Sequence, residues 1–130
     1  MKIRTSKFWD HDILYFNEFD EKEVSYGIIC IELREEVELE DAENVMRSYI
    51  NKLRGPFFIL HNTGLQKDTD WNSVASRSVS DYWQDGEGCD WKVKGYTNGR
   101  FLSLLYVRNI SKLEVTRQEL FLDSFHFRAA

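Results

Sequence analysis

The run CDWKVKGYTNGRFLSLLYV, Cys89 to Val107, decides the fold class. Cys89, Trp91 and Val93 alternate with Asp90, Lys92 and Lys94, which is the period-2 pattern of a strand with one apolar and one charged face. Phe101 to Val107 is a second strand-length apolar run, and Asn98-Gly99 stands between the two. That dipeptide is the strongest hairpin signal in the chain. A two-residue hairpin turn needs φ > 0 at both central positions, which Asn and Gly adopt at low cost. Antiparallel pairing is therefore the organising contact.

Working outward towards the N-terminus, Phe57 to His61 is a short apolar strand directly after Gly55-Pro56, a helix stop signal. The helix it stops covers Leu39 to Arg54. Ala42, Val45, Met46, Tyr49, Ile50 and Leu53 recur at helical spacing and form one stripe for a core. Glu40, Asp41 and Glu43 lie in its first turns and Lys52 and Arg54 in its last, as the helix dipole favours. Before it, Asp12 to Phe19 and Val24 to Leu33 read as a hairpin joined by Asp20 to Glu23. Val24, Tyr26, Ile28 and Cys30 point one way and Ile29, Ile31 and Leu33 the other, so this strand is expected to be covered on both faces. Residues 62–72 read as a loop and Ser73 to Trp83 as a strand with a polar face.

Towards the C-terminus, Ser111-Lys112-Leu113-Glu114 has the form of a capping box, with Ile110 and Val115 as a hydrophobic staple. It predicts a second amphipathic helix from Lys112 to Leu122, with Leu113, Leu120 and Phe121 on its core face. Ser124 to Phe127 reads as a short terminal strand. The expected fold is one α+β domain over residues 1–130: a mostly antiparallel sheet flanked by two amphipathic helices.

The 130 residues are 42% apolar and 30% charged, which excludes a disordered chain, and no run approaches the length of a membrane span. Met1 to Asp10 carries Lys2, Arg4 and Lys7 without an apolar segment after them, so no secretory signal is expected and the cytosol is the expected location. There, Cys30 and Cys89 are expected as buried free thiols. The net charge of −5 is unevenly placed. Residues 9–43 hold thirteen acids against Lys22 and Arg34 alone, a local balance of −11. Such a field repels phosphate backbones and anionic lipid, and so argues against nucleic acid and membrane as partners. It attracts a basic protein.

Catalytic signatures are missing from the sequence. His11, His61 and His126 belong to no metal-ligand pattern, Cys30 sits among isoleucines, and there is no G-x-S-x-G and no phosphate-cradling glycine loop. No enzyme activity, cofactor or metal is expected. Aromatic residues make up 15% of the chain. Trp71 lies in a polar loop and Trp83 beside Gln84-Asp85-Gly86, where each is either core or a protein-interface anchor. Small size, an acidic half and loop tryptophans together suggest a protein-binding module, specifically an immunity-type inhibitor that masks a basic toxin domain. Its contact residues are expected to be Glu35, Glu36, Glu38, Asp41, Trp71 and Trp83.

Trp91 to Tyr96, Asn98-Gly99-Arg100, Phe101 to Val107, a helix, and then Leu122-Asp123-Ser124-Phe125-His126-Phe127 resemble the end of PsbP-like and DcrB-like domains. The upstream order of hairpin, amphipathic helix and meander is similar too. The chain departs from that pattern in having no proline before Pro56. The resemblance implies a layered antiparallel sheet with helices on its faces and no shared active site. It also implies a role as an assembly factor, a binding module or a chaperone of secretion-system effectors. A chaperone or adaptor of that kind would hold apolar helices in a groove and act as a homodimer.

Overall fold

The computed structural model describes residues 7–8, 11–67, 76–112, 120–123 and 125, the side chains from residue 16 onward. Among the described residues eight strands form one antiparallel sheet: β1 (Lys7–Phe8), β2 (His11–Glu21), β3 (Val24–Glu32), β4 (Ile59–Asn62), β5 (Gln66–Lys67), β6 (Arg77–Asp85), β7 (Asp90–Thr97) and β8 (Phe101–Arg108). Their order is β1-β2-β3-β8-β7-β6-β4, with β5 also on β6. Helix α1 (Leu39–Leu53) lies on one face. Residues 120–123 are helical and pack with Phe125 on the other. The protein is thus an α+β antiparallel sheet with helices. Among the described residues no helix is long and apolar enough to cross a membrane.

The predicted stripe of α1 is the core. Ala42, Met46, Tyr49, Ile50 and Leu53 are buried, and Val45 is packed against them with Ile29, Ile31, Val93, Leu102 and Leu104. The helix comes close because of Gly95 in β7. A Cβ there would stand 2.8 Å from Met46 Sδ and 2.9 Å from Ile50 Cδ1. Strand β3 is covered on both sides as its sequence implies. Ile29, Ile31 and Leu33 face α1, while Val24 and Tyr26 join Tyr96, Leu105, Val107 and Leu122 in a second cluster.

The two hairpins exchange the expected turn chemistry. Between β2 and β3, Glu21 pairs with Val24, and Lys22 and Glu23 have φ of 50° and 70°. This is a two-residue turn with both centres left-handed, built without Asn or Gly. Between β7 and β8, Thr97 pairs with Leu102 and only Gly99, at φ 95°, is left-handed. The loop is wider there because the Asn98 side chain does the capping. Its Oδ1 accepts the N–H groups of Arg100 at 3.0 Å and Phe101 at 2.9 Å.

Near the C-terminus the structure corrects the sequence. Ser111 lies inside a 3-10 turn, Ile110–Lys112, where the Lys112 N–H bonds the Asn109 carbonyl, and most of the helix that Ser111 is expected to cap lies outside the described residues. Leu113, Glu114 and Val115 lie outside the described residues. Leu120 is exposed, and Leu122 is buried in its place. The Tyr96 hydroxyl donates to the Leu122 carbonyl, which fixes that choice of face. Phe125 packs on the Tyr96 ring outside any strand, and the rest of the expected terminal strand falls outside the described residues.

Candidate binding surface

Leu33 to Glu38 carries the chain from the end of β3 to α1 and is fastened to the β7–β8 turn. The Leu33 N–H bonds Arg100 O at 2.8 Å, and the Val37 N–H bonds Gly99 O at 2.9 Å. Gly99 has to be glycine twice over. Its φ is left-handed, and a Cβ would meet Val37 O at 2.7 Å. Arg100 adds a guanidinium contact to Glu32, at 3.1 and 3.2 Å. Glu35, Glu36, Glu38 and Asp41 all stand exposed on this braced segment and the first turn of α1. None of them makes an ion pair among the described residues. The structure therefore brings the four predicted acids together on one segment tied to the β7–β8 turn.

Glu43, one turn further along α1, is different. Its carboxylate is nearly buried and meets Arg47 Nε at 3.0 Å, Arg77 at 3.5 Å and Lys67 at 3.7 Å. Burial alone would raise its pKa, but the hydrogen bond from Arg47 and the charges of Lys67, Arg47 and Arg77 outweigh burial and hold it below the usual carboxylate range. Glu43 is spent on the fold, so the outward field comes from its neighbours.

Trp83 is not a surface anchor. It is only 2% exposed, its ring lies 6.0 Å from that of Trp91, and its indole N–H donates to Asp81 Oδ2 at 3.0 Å. The strand continues through Gln84 to Asp85, which turns position 83 inward beneath α1. It also lies at the opposite end of β6 from the Arg77–Thr97 pair that neighbours the acidic segment. Trp71 lies outside the described residues.

Two buried carboxylates of β6 went unmarked in the sequence. Asp81 accepts Trp83, the Thr63 hydroxyl at 2.9 Å and the Tyr82 N–H at 2.8 Å. Asp85 accepts the Trp91 indole N–H at 2.8 Å, Arg108 Nε at 3.1 Å and the N–H groups of Glu87 and Cys89 at 2.9 and 3.0 Å. Burial pushes the Asp85 pKa up, but these donors outweigh it and leave the group below its ordinary value. Both carboxylates have their capacity filled from within the fold, as structural groups do.

Behind Trp83, an open cleft of about 270 Å³ is lined by His61, Asn62, Thr63, Tyr82, Gln84 and Asp90. No group of three or more side chains able to hold a metal occurs among the described residues. Cys30 and Cys89 are both free, but they are half-buried and not buried as expected, Cys89 because it stands immediately before β7 beside a turn. Burial raises the Cys30 thiol pKa against the lowering contact with Ser103, which leaves it a poor nucleophile. No protein-family model matches the chain, and no curated protein sequence matches it either.

Proposed function

We propose that the chain is a non-enzymatic, cytosolic protein-binding module that masks a basic toxin domain, in the manner of an immunity protein. The observation that carries the reading is the exposed quartet Glu35, Glu36, Glu38 and Asp41 on a segment fastened to the Asn98–Arg100 turn. A braced acidic edge loses little freedom on binding, and its field speeds the encounter with a basic partner. Trp71 remains the candidate apolar anchor. The PsbP-like layering belongs to the same reading. It is supported by α1 on one face of the sheet and residues 120–125 on the other.

The test is binding of a basic toxin domain encoded beside this chain, followed at low and high salt. Glu35→Lys with Glu36→Lys should slow association and flatten its salt dependence, since exposed charges act mainly on the encounter rate. Association that ignores both salt and these reversals overturns the inhibitor reading in favour of a chaperone or adaptor of a secreted effector.

A further inference from the structure

The sheet has two edges of opposite character. At one, β2 presents Glu18, Asp20 and Glu21, all exposed. At the other, β4 runs Ile59-Leu60-His61-Asn62, preceded by Phe57 and Phe58, and the six residues carry no carboxylate and no lysine or arginine. Among the described residues β4 pairs on one side only, with β6. Leu60 is 66% exposed and Phe58 77%. Edge strands are ordinarily guarded by charge, proline, a covering element, shortness or a bulge; β4 lacks charge and proline, and its guards are its four-residue length and a register irregularity between Ile59 and His61.

Phe58 is held outward. Its φ is 56°, a left-handed value that is an outlier for a bulky residue. Three backbone bonds impose it: Phe58 N–H to Gly55 O at 3.0 Å, Ile59 N–H to Arg54 O at 2.9 Å, and Gly86 N–H to Phe58 O at 3.1 Å. The nearest cation, Arg54, is turned onto the Asn62 side chain at 2.6 Å and the Asn51 carbonyl at 3.3 Å. Strain held in place at an exposed aromatic is a feature found where a surface is used.

We propose that a second copy of this chain pairs with β4, edge to edge and antiparallel, about a two-fold axis. The charge distribution selects this occupant and this edge. Residues 9–43 concentrate the acids on the β2 side of the sheet and on the segment before α1, so joining two β4 strands places the acidic surfaces of both copies far apart. Joining two β2 edges would set Glu18, Asp20 and Glu21 of each copy against their own kind. A two-fold pairing repeats the same patch on both sides, so Phe58 and Leu60 of each copy meet those of the other, while the ladder satisfies the outward backbone groups. A four-residue strand with two apolar side chains is a small patch, so the dimer should be weak and should dissociate on dilution.

The proposal does not rest on the inhibitor reading, and its test is separate. Sedimentation and light scattering of the whole chain over a dilution series should show a monomer–dimer equilibrium. Leu60→Lys should weaken it by at least about tenfold, the scale of losing a central interface anchor. Glu21→Lys, on the opposite edge, should leave it unchanged. Leu60 is exposed, so its variant should keep the wild-type circular dichroism, and in the wild type the β4 amides should exchange more slowly as concentration rises. A wild-type chain that stays monomeric up to about 1 mM associates more weakly than a millimolar constant and overturns the proposal. So does a dimer that survives Leu60→Lys or is lost with Glu21→Lys.

Discussion

The ring of Tyr106 lies across Gly27, and its hydroxyl donates to the Glu18 carboxylate one strand further on. The register makes this reach possible. Tyr106 of β8 pairs with Gly27 of β3, and Gly27 in turn pairs with Glu18 of β2. The glycine leaves a gap one side chain wide, and the tyrosine lies down in it. Burial first, then the Glu18 hydrogen bond and the charges of Glu18 and Asp20, push the phenol pKa far up, so this is a neutral donor at every physiological pH.

Gly27→Ala should therefore be costly, because the new methyl group falls on the ring and not into space. Overpacking of this kind costs about 1–3 kcal/mol. Tyr106→Phe keeps the ring and removes only the hydrogen bond, for roughly 0.5–1.5 kcal/mol. Urea denaturation of both variants checks the ranking, and an equal loss in the two would mean that the ring does not depend on the glycine.

Ile50→Ala removes a fully buried side chain at the closest approach of α1 to β7, and should cost about 2–5 kcal/mol. Denaturant midpoints at unchanged m-value measure it. A loss below about 0.5 kcal/mol, the scale of an ordinary surface change, would show that this face of the helix is not core.

Asp85 ties the fold to pH. Its folded pKa lies below the unfolded value near 3.8, so the carboxylate stabilises the fold above that value, and the contribution is lost as pH falls through the folded pKa. Glu43 acts in the same direction. Stability measured from pH 7 downward should hold until about pH 4 and then decline. Asp85→Asn should be less stable at pH 7 and should lose less on acidification than the wild type. A parallel decline in both proteins would assign the acid sensitivity elsewhere.

The β2–β3 turn offers a gain. Left-handed backbone costs an ordinary residue about 1–2 kcal/mol, and Lys22 and Glu23 both adopt it. Lys22→Asn with Glu23→Gly should raise stability by roughly 1 kcal/mol by fitting the residues to the turn. Thermal melts of the double variant check this, and unchanged stability would show that the turn carries no strain.

Helix α1 and both faces of β3 were legible because most of their apolar residues follow the period of the element, with Glu43 in α1 and Ser25 and Gly27 in β3 as the exceptions. Trp83 was not, and the reason lies in its neighbours. The inward positions of β6 include Asp81, Trp83 and Asp85, so two acids interrupt the apolar signal, and the turn that follows Asp85 comes only two residues after Trp83. Those acids are inside because indole, hydroxyl, guanidinium and backbone donors meet them, a pairing that needs the assembled sheet. Leu120 was misplaced on the core face for a comparable reason: the Tyr96 hydroxyl, far away in sequence, bonds the Leu122 carbonyl and holds Leu122 inward. The acidic quartet was readable as charge alone, and its bracing by Gly99 and Arg100 was not.

The strand pairing at the middle of the sheet sets the order in which the molecule can be made. β3 pairs with β2 on one side and with β8 on the other, so residues 25–32 find their second set of partners only among 101–108. A ribosome must therefore deliver nearly the whole chain before the central ladder can close. Until then the β2–β3 hairpin and α1 hold apolar surfaces for which the covering strand does not yet exist. Closing so long a loop before any contact rewards it is slow. Collapse should therefore wait on the last third of the chain, and a truncation before β8 should yield an aggregating fragment in place of a smaller folded one.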